Sequence, residues 1–210
     1  ELLGRSEAGV VAKADARSVA QHTERIACAR DNAPRRHHQD SKRMASASSA
    51  SPFTGLKTKE YATHRKKVHS LAWSCTGAKL ASGSVDQSVR VWSVDQTGRG
   101  VDTELKGHTD SVDQLRWDPL QPEVLGTASG DRTVRIWDAR TNKCAHAIET
   151  RGENINIRWS PDGQHIAVGD KDDNISFVEM RKCKLLKSIK FGCEVNEMAW
   201  ESTGKLLLLT

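Results

Sequence analysis

Short runs of alternating apolar and polar residues, closed by polar turns, recur along the chain from Val68 onward. The first set reads Val68-His-Ser-Leu-Ala-Trp73, a turn at Ser-Cys-Thr-Gly77, Lys79-Leu-Ala-Ser-Gly83, a turn at Val85-Asp86, and Ser88-Val-Arg-Val-Trp92. The second follows the same order over 112–117, 124–129, a turn at Gly130-Asp131, and 133–137. A third runs over 155–159, Ser160-Pro-Asp-Gly163, 166–169 and 172–178, and a fourth begins at Glu194-Val195. A period of two with Val, Ile and Trp enriched predicts strands, and Gly and Asp predict the tight turns between them.

Anchoring on tryptophan gives the spacing of the units. Trp73, Trp117, Trp159 and Trp200 stand 44, 42 and 41 residues apart, and Trp92, Trp137 and Val178 stand 45 and 41 apart. The four-stranded blade of a β-propeller has this period, about 40–45 residues. The fold expected is therefore all-β: about three blades and the start of a fourth, an incomplete ring. The units lie at about 64–93, 107–138, 151–179 and 191–210, in a propeller segment over 53–210.

Residues 1–52 have no such pattern. They are expected to form a disordered leader, with 1–43 not native coding sequence and Met44, followed by Ala-Ser-Ala-Ser-Ser-Ala-Ser-Pro, as the start. The run Lys57-Thr-Lys-Glu-Tyr-Ala62 is read as an outer strand that closes the ring on a last blade.

Composition adds little that conflicts. Six Trp against one Tyr and three Phe is the skew that a Trp-bearing repeat produces. Residues 1–43 carry nine Lys/Arg against six Asp/Glu, and 44–210 carry 23 against 21, so charge leaves no nucleic-acid footprint on the repeats. Five cysteines, at 28, 75, 144, 183 and 193, have neither disulfide-framework nor metal-ligand spacing. No metal, cofactor or small-molecule substrate is expected. The sequence contains no apolar run long enough to cross a membrane as a helix.

Gly107-His108 with Trp137-Asp138, and His64 with Trp92, resemble the WD-repeat family. That resemblance implies a buried hydrogen-bonded tetrad in each of two blades: His64, Ser82, Asp86 and Trp92, then His108, Thr127, Asp131 and Trp137. The spacing agrees, with His to Asp at 22 and 23, Ser/Thr to Asp at 4 in both, and Asp to Trp at 6 in both. A Ser-His-Asp set invites a hydrolase reading. However, a catalytic triad is used once, in a cleft, whereas this set recurs with the blade period. The chain is accordingly expected not to be an enzyme. The third unit departs: Asp172 stands at the Asp position, Val178 replaces Trp, and Arg151-Gly-Glu153 replaces Gly-His.

Function in such a ring belongs to the loops of its faces. Lys67, His69, Ser111, Asp113, Asn154, Asn156, Glu194 and Asn196 are expected on a partner-binding rim, with the third unit's register open by one residue. Several segments are similar to a narrower family, the THO complex subunit 3 proteins: Lys66-Lys-Val-His-Ser-Leu-Ala-Trp73, Gly152-Glu-Asn-Ile-Asn-Ile157 and Val195-Asn-Glu-Met-Ala-Trp200 among them. That resemblance implies a nuclear scaffold subunit of a transcription-export complex. Its partners would be the other protein subunits of a nuclear mRNA-export complex, and any link to RNA would be indirect. The alternative is a WD-repeat adaptor of another assembly, either a ubiquitin-ligase substrate receptor or a ribosome-assembly factor.

Overall fold

The structure is a computed structural model, which describes residues 10–13, 26–28, 61–94 and 100–210. Every regular element among them is a strand, and no helix is long and apolar enough to cross a membrane. In chain order the strands are β1 (Val10–Lys13), β2 (Ile26–Cys28), β3 (Val68–Trp73), β4 (Lys79–Ser84), β5 (Val89–Val94) and β6 (Gly100–Leu105). Then come β7 (Val112–Trp117), β8 (Val124–Ser129), β9 (Thr133–Asp138), β10 (Lys143–Glu149) and β11 (Asn154–Trp159). The last are β12 (His165–Asp170), β13 (Asn174–Glu179), β14 (Lys184–Lys190), β15 (Met198–Trp200) and β16 (Leu206–Leu209).

They form four antiparallel sheets of four strands, ordered β3-β4-β5-β6, β7-β8-β9-β10, β11-β12-β13-β14 and β15-β16-β1-β2. These are propeller blades built as up-and-down meanders. The segment expected as a leader has two stretches among the described residues, and both lie in the fourth sheet. The rest of that leader, Met44 and the strand expected at 57–60 lie outside the described residues, while Tyr61 and Ala62 belong to no strand.

The core lies between blades rather than within them. One cluster joins Val89, Val91 and Leu105 of the first blade to Leu115, Trp117 and Leu125 of the second. Another joins Val134 and Ile136 to Ile157, Trp159 and Val168, and a third joins Ile175 and Phe177 to Met198, Leu207 and Leu209. Each side chain fully buried there, such as Leu115 or Ile157, contributes roughly 1.5–3 kcal/mol relative to exposure. A middle blade is therefore buried on both faces, and β8, β12 and β13 are buried at nearly every position.

The first strands of successive blades, β3, β7, β11 and β15, pack on one another at the inner side. Tryptophan ties each to the one before. Trp117 Nε1 donates to Ala72 O at 2.9 Å, Trp159 Nε1 to Arg116 O at 3.0 Å, and Trp200 Nε1 to Arg158 O at 3.4 Å. Trp73, the equivalent residue of the first blade, is 54% exposed beside Leu71 at 59%.

Candidate functional site

The second blade contains a continuous buried polar chain. His108, in the loop before β7, places Nδ1 2.8 Å from Asp131 Oδ2 and Nε2 2.7 Å from Thr127 Oγ1 on β8. Trp137 Nε1 on β9 donates to the same hydroxyl at 2.9 Å. Asp131 sits in the β8–β9 turn, where it also accepts from Thr109 N at 3.1 Å and from Thr133 N at 2.9 Å. Burial opposes ionisation of Asp131, yet hydrogen bonds from His108 and Thr133, the His108 charge and the Thr109 amide hold its carboxyl well below the usual range. The His108 side chain is 0% exposed and Thr127 is fully buried. No substrate can reach this hydroxyl, so the set serves the packing of the blade.

The first blade repeats the chain with one link open. His64 lies 3.0 Å from Asp86 Oδ2 and 2.5 Å from Ser82 Oγ, but buried Trp92 Nε1 has no hydrogen-bond partner among the described residues. Burial again opposes ionisation of Asp86, and hydrogen bonds from Ser88, Arg65 and His64 overcome it and hold the carboxyl low. The missing glycine before His64 has a structural counterpart. A Cβ at Gly107 would stand 2.4 Å from Arg135 Nη1 and 3.2 Å from Trp137, so glycine lets Arg135 lie over that indole. In the first blade the position belongs to Thr63, and Arg90 is instead drawn to Asp102 and Glu104 on β6.

In the third blade Asp172 stands at the position of Asp131 but does not organise the turn. Asp172 is exposed, and the organising carboxylate is Asp170, two residues earlier and 3% exposed. Its Oδ1 accepts from Asp172 N and Asn174 N, both at 2.9 Å, and from Asn174 Nδ2 at 3.1 Å. The positions of Thr127 and Trp137 are taken by Val168 and Val178, which have no polar group to continue a chain. Gly152 gives the carboxylate its room, since a Cβ there would stand 2.4 Å from Asp170 Oδ2.

The residues expected on a rim differ in exposure. His69 Nδ1 lies 2.9 Å from Asp113 Oδ1, which Ser111 Oγ also reaches at 2.5 Å, joining the first two blades. Lys67, Glu194 and Asn196 are exposed. Asn154 and Asn156 are not on the rim: they are 1% and 5% exposed. Asn154 pairs with Asp170 across the strands as Val112 pairs with Ser129, so the positions matching Ser111 and Asp113 are Glu153 and Ile155. Asn154 serves packing, accepting from Thr150 Oγ1 at 2.8 Å and donating to Thr133 O at 3.2 Å. Beside it, Arg132, Arg151, Glu153, Lys171 and Asp172 line a polar hollow of about 240 Å³. Among the described residues no group of His, Cys, Asp and Glu is placed to hold a metal ion.

Known proteins share this arrangement. Residues 55–93 and 100–138 each match the family model "WD domain, G-beta repeat", and 153–203 match that of the anaphase-promoting complex subunit 4 WD40 domain. The chain belongs to the WD-repeat family. It is 53% identical over 161 residues to THO complex subunit 3 of Arabidopsis thaliana, covering 76% of this chain and 51% of that protein. It is 34% identical over 177 residues to WD repeat-containing protein AAC3 of Dictyostelium discoideum, covering 75% of this chain and 37% of that protein. To the anaphase-promoting complex subunit cdc20 of the same organism it is 34% identical over 100 residues, 46% of this chain and 20% of that protein. The chain thus spans about half or less of the length of these relatives. As a WD-repeat protein it has two blades with the family's histidine and a third that replaces it with Thr150, a substitution visible only once the register is fixed.

Proposed function

We propose that this WD-repeat chain acts as a non-catalytic scaffold subunit of a nuclear THO complex and supports mRNA processing and export through protein–protein contacts. The identity with THO complex subunit 3 carries this reading, because it spans three-quarters of the chain. The structure is consistent with a scaffold: among the described residues the two His-Ser/Thr-Asp sets built like a triad are sealed inside blades, while the rim offers amide, acid and hydroxyl groups suited to protein surfaces. Its partners would be the other protein subunits of that complex, with RNA reached through them, and its location would be the nucleus.

A second reading has one observation in its favour, the match of 153–203 to the WD40 domain of anaphase-promoting complex subunit 4. On that reading the chain is an adaptor of another assembly. Affinity purification of the tagged protein from nuclear extract, with mass spectrometry, separates the two. Recovery of THO subunits is the expected result; recovery of anaphase-promoting subunits without them would replace the first reading by the second. Partner recovery that survives ribonuclease treatment is expected if RNA is bound indirectly.

A further inference from the structure

A row of side chains on the inner strands ties each blade to the next, and one member of it has no carboxylate of its own. Ser70, Gln114, Asn156 and Glu197 occupy equivalent places on β3, on β7, on β11 and just before β15; Ala72, Arg116, Arg158 and Ala199 occupy another set, two residues further on. Ser70 Oγ accepts from Leu115 N at 3.2 Å, and Gln114 Oε1 accepts from Ile157 N at 2.8 Å. Gln114 Nε2 donates to Asn156 Oδ1 at 3.2 Å, and Asn156 Nδ2 donates to Asn196 O at 2.8 Å.

Arg158 fits fully into this row. Nη1 donates to Gln114 Oε1 in the blade before at 2.5 Å, and Nη2 pairs with Glu197 in the blade after. Arg116 has the same place one blade earlier, but the residue matching Glu197 is Asn156, which has no charge. The one side-chain hydrogen bond of Arg116 among the described residues runs from Nη1 to Leu115 O at 3.0 Å. Burial first, and then the charge of Arg158, press the Arg116 guanidinium below its ordinary range, against the pull of the Glu197 carboxylate. Two half-buried guanidinium groups therefore share one carboxylate, and a half-buried cation with no carboxylate bonded to it is costly.

We infer that Arg116 is an anchor for a carboxylate side chain presented by an acidic segment of a partner protein, a proposal that rests on the protein-scaffold reading. The planar fork of a single arginine matches one carboxylate with two parallel hydrogen bonds. A nucleic acid is the less suitable occupant. It needs a stripe of basic residues interleaved with stacking aromatics, and 44–210 holds 23 Lys/Arg against 21 Asp/Glu, with Asp113 and Glu153 on the rim.

The test uses the purified full chain, a fluorescein-labelled Ser-Glu repeat decapeptide and a labelled oligouridylate, read by anisotropy at low and moderate salt. The peptide binds the unaltered chain; Arg116→Gln weakens it at least about tenfold, Arg116→Lys less, and the charge-matched Arg140→Gln, on an exposed side chain, leaves it unchanged. Asn156→Glu supplies the missing carboxylate from within and gives up the bond to Asn196 O, so peptide binding is lost in a chain that melts at a lower temperature but still cooperatively, which keeps the test open if Arg116→Gln fails to fold. Absence of peptide binding, equal weakening by Arg140→Gln, full binding by Asn156→Glu, or an Arg116-dependent preference for oligouridylate overturns the inference. Co-purification of Arg116→Gln with THO subunits reports on the scaffold reading separately: that reading fails if the unaltered chain recovers none.

Discussion

The second and third blades solve the same problem by different means. Each must hold a sharp turn between its second and third strands, with a residue of positive φ at Arg132 (64°) and at Asp173 (59°). The second blade does so with a carboxylate that also faces His108, so the turn, the preceding loop and the indole of Trp137 form one chain of hydrogen bonds. The third uses Asp170 instead, closes the turn on two backbone amides and the Asn174 side chain, and has Val168 and Val178 where the second blade has Thr127 and Trp137. A blade can thus lose its histidine and tryptophan and keep its shape, provided the acid moves with them. What the second blade gains is connection across its whole depth; what the third gains is an apolar interior with few polar groups to satisfy.

The largest expected break in this contrast is Asp131→Ala. It leaves His108, Thr109 N and Thr133 without their acceptor and costs about 3–5 kcal/mol, read as a lowered urea midpoint. Asp170→Ala follows at about 2–3 kcal/mol, because two turn amides and the Asn174 amide lose one acceptor. Trp137→Phe removes the donor to Thr127 and costs about 1–1.5 kcal/mol beyond the change in ring size, whereas Trp92→Phe loses no hydrogen bond and costs less. Asp172→Ala stays within about 0.5 kcal/mol, and a loss as large as that of Asp170→Ala would reverse the assignment of the organising acid.

Acid sharpens the same contrast. Asp86 and Asp131 titrate below their unfolded values, so their contribution is complete above about pH 4 and disappears as the pH falls further, through their lower folded values. Unfolding free energy measured in urea should decline below that pH, with a shallower decline in Asp131→Asn.

The strands that form blade interiors were legible in the sequence because burial on two faces writes itself as apolar runs and tryptophan spacing. The fourth strands were not. β10 and β14 alternate between exposed and half-covered positions and bury almost nothing, so no period marks them. The third blade's register was misread for a related reason. Without a Gly-His pair there is no fixed point, and Asn154 and Asn156 look like rim residues until the bulge between them sets both inward. The turn of Arg90 away from Trp92 depends on Asp102 of β6, a strand the sequence did not reveal.

The tryptophan contacts between blades have a direction. Each indole gives its proton to the sheet that precedes it in the chain, never to the one that follows. The row of sheets is consequently polar, like a strand of nucleic acid: one end offers the indole of Trp73, the other the exposed backbone at Ala199, in the place where Ala72, Arg116 and Arg158 accept. Unlike ends join head to tail only. A further sheet laid against Trp73 must supply an acceptor, and one laid against Ala199 must bring its own tryptophan, so order around the ring is written into the chemistry of each joint.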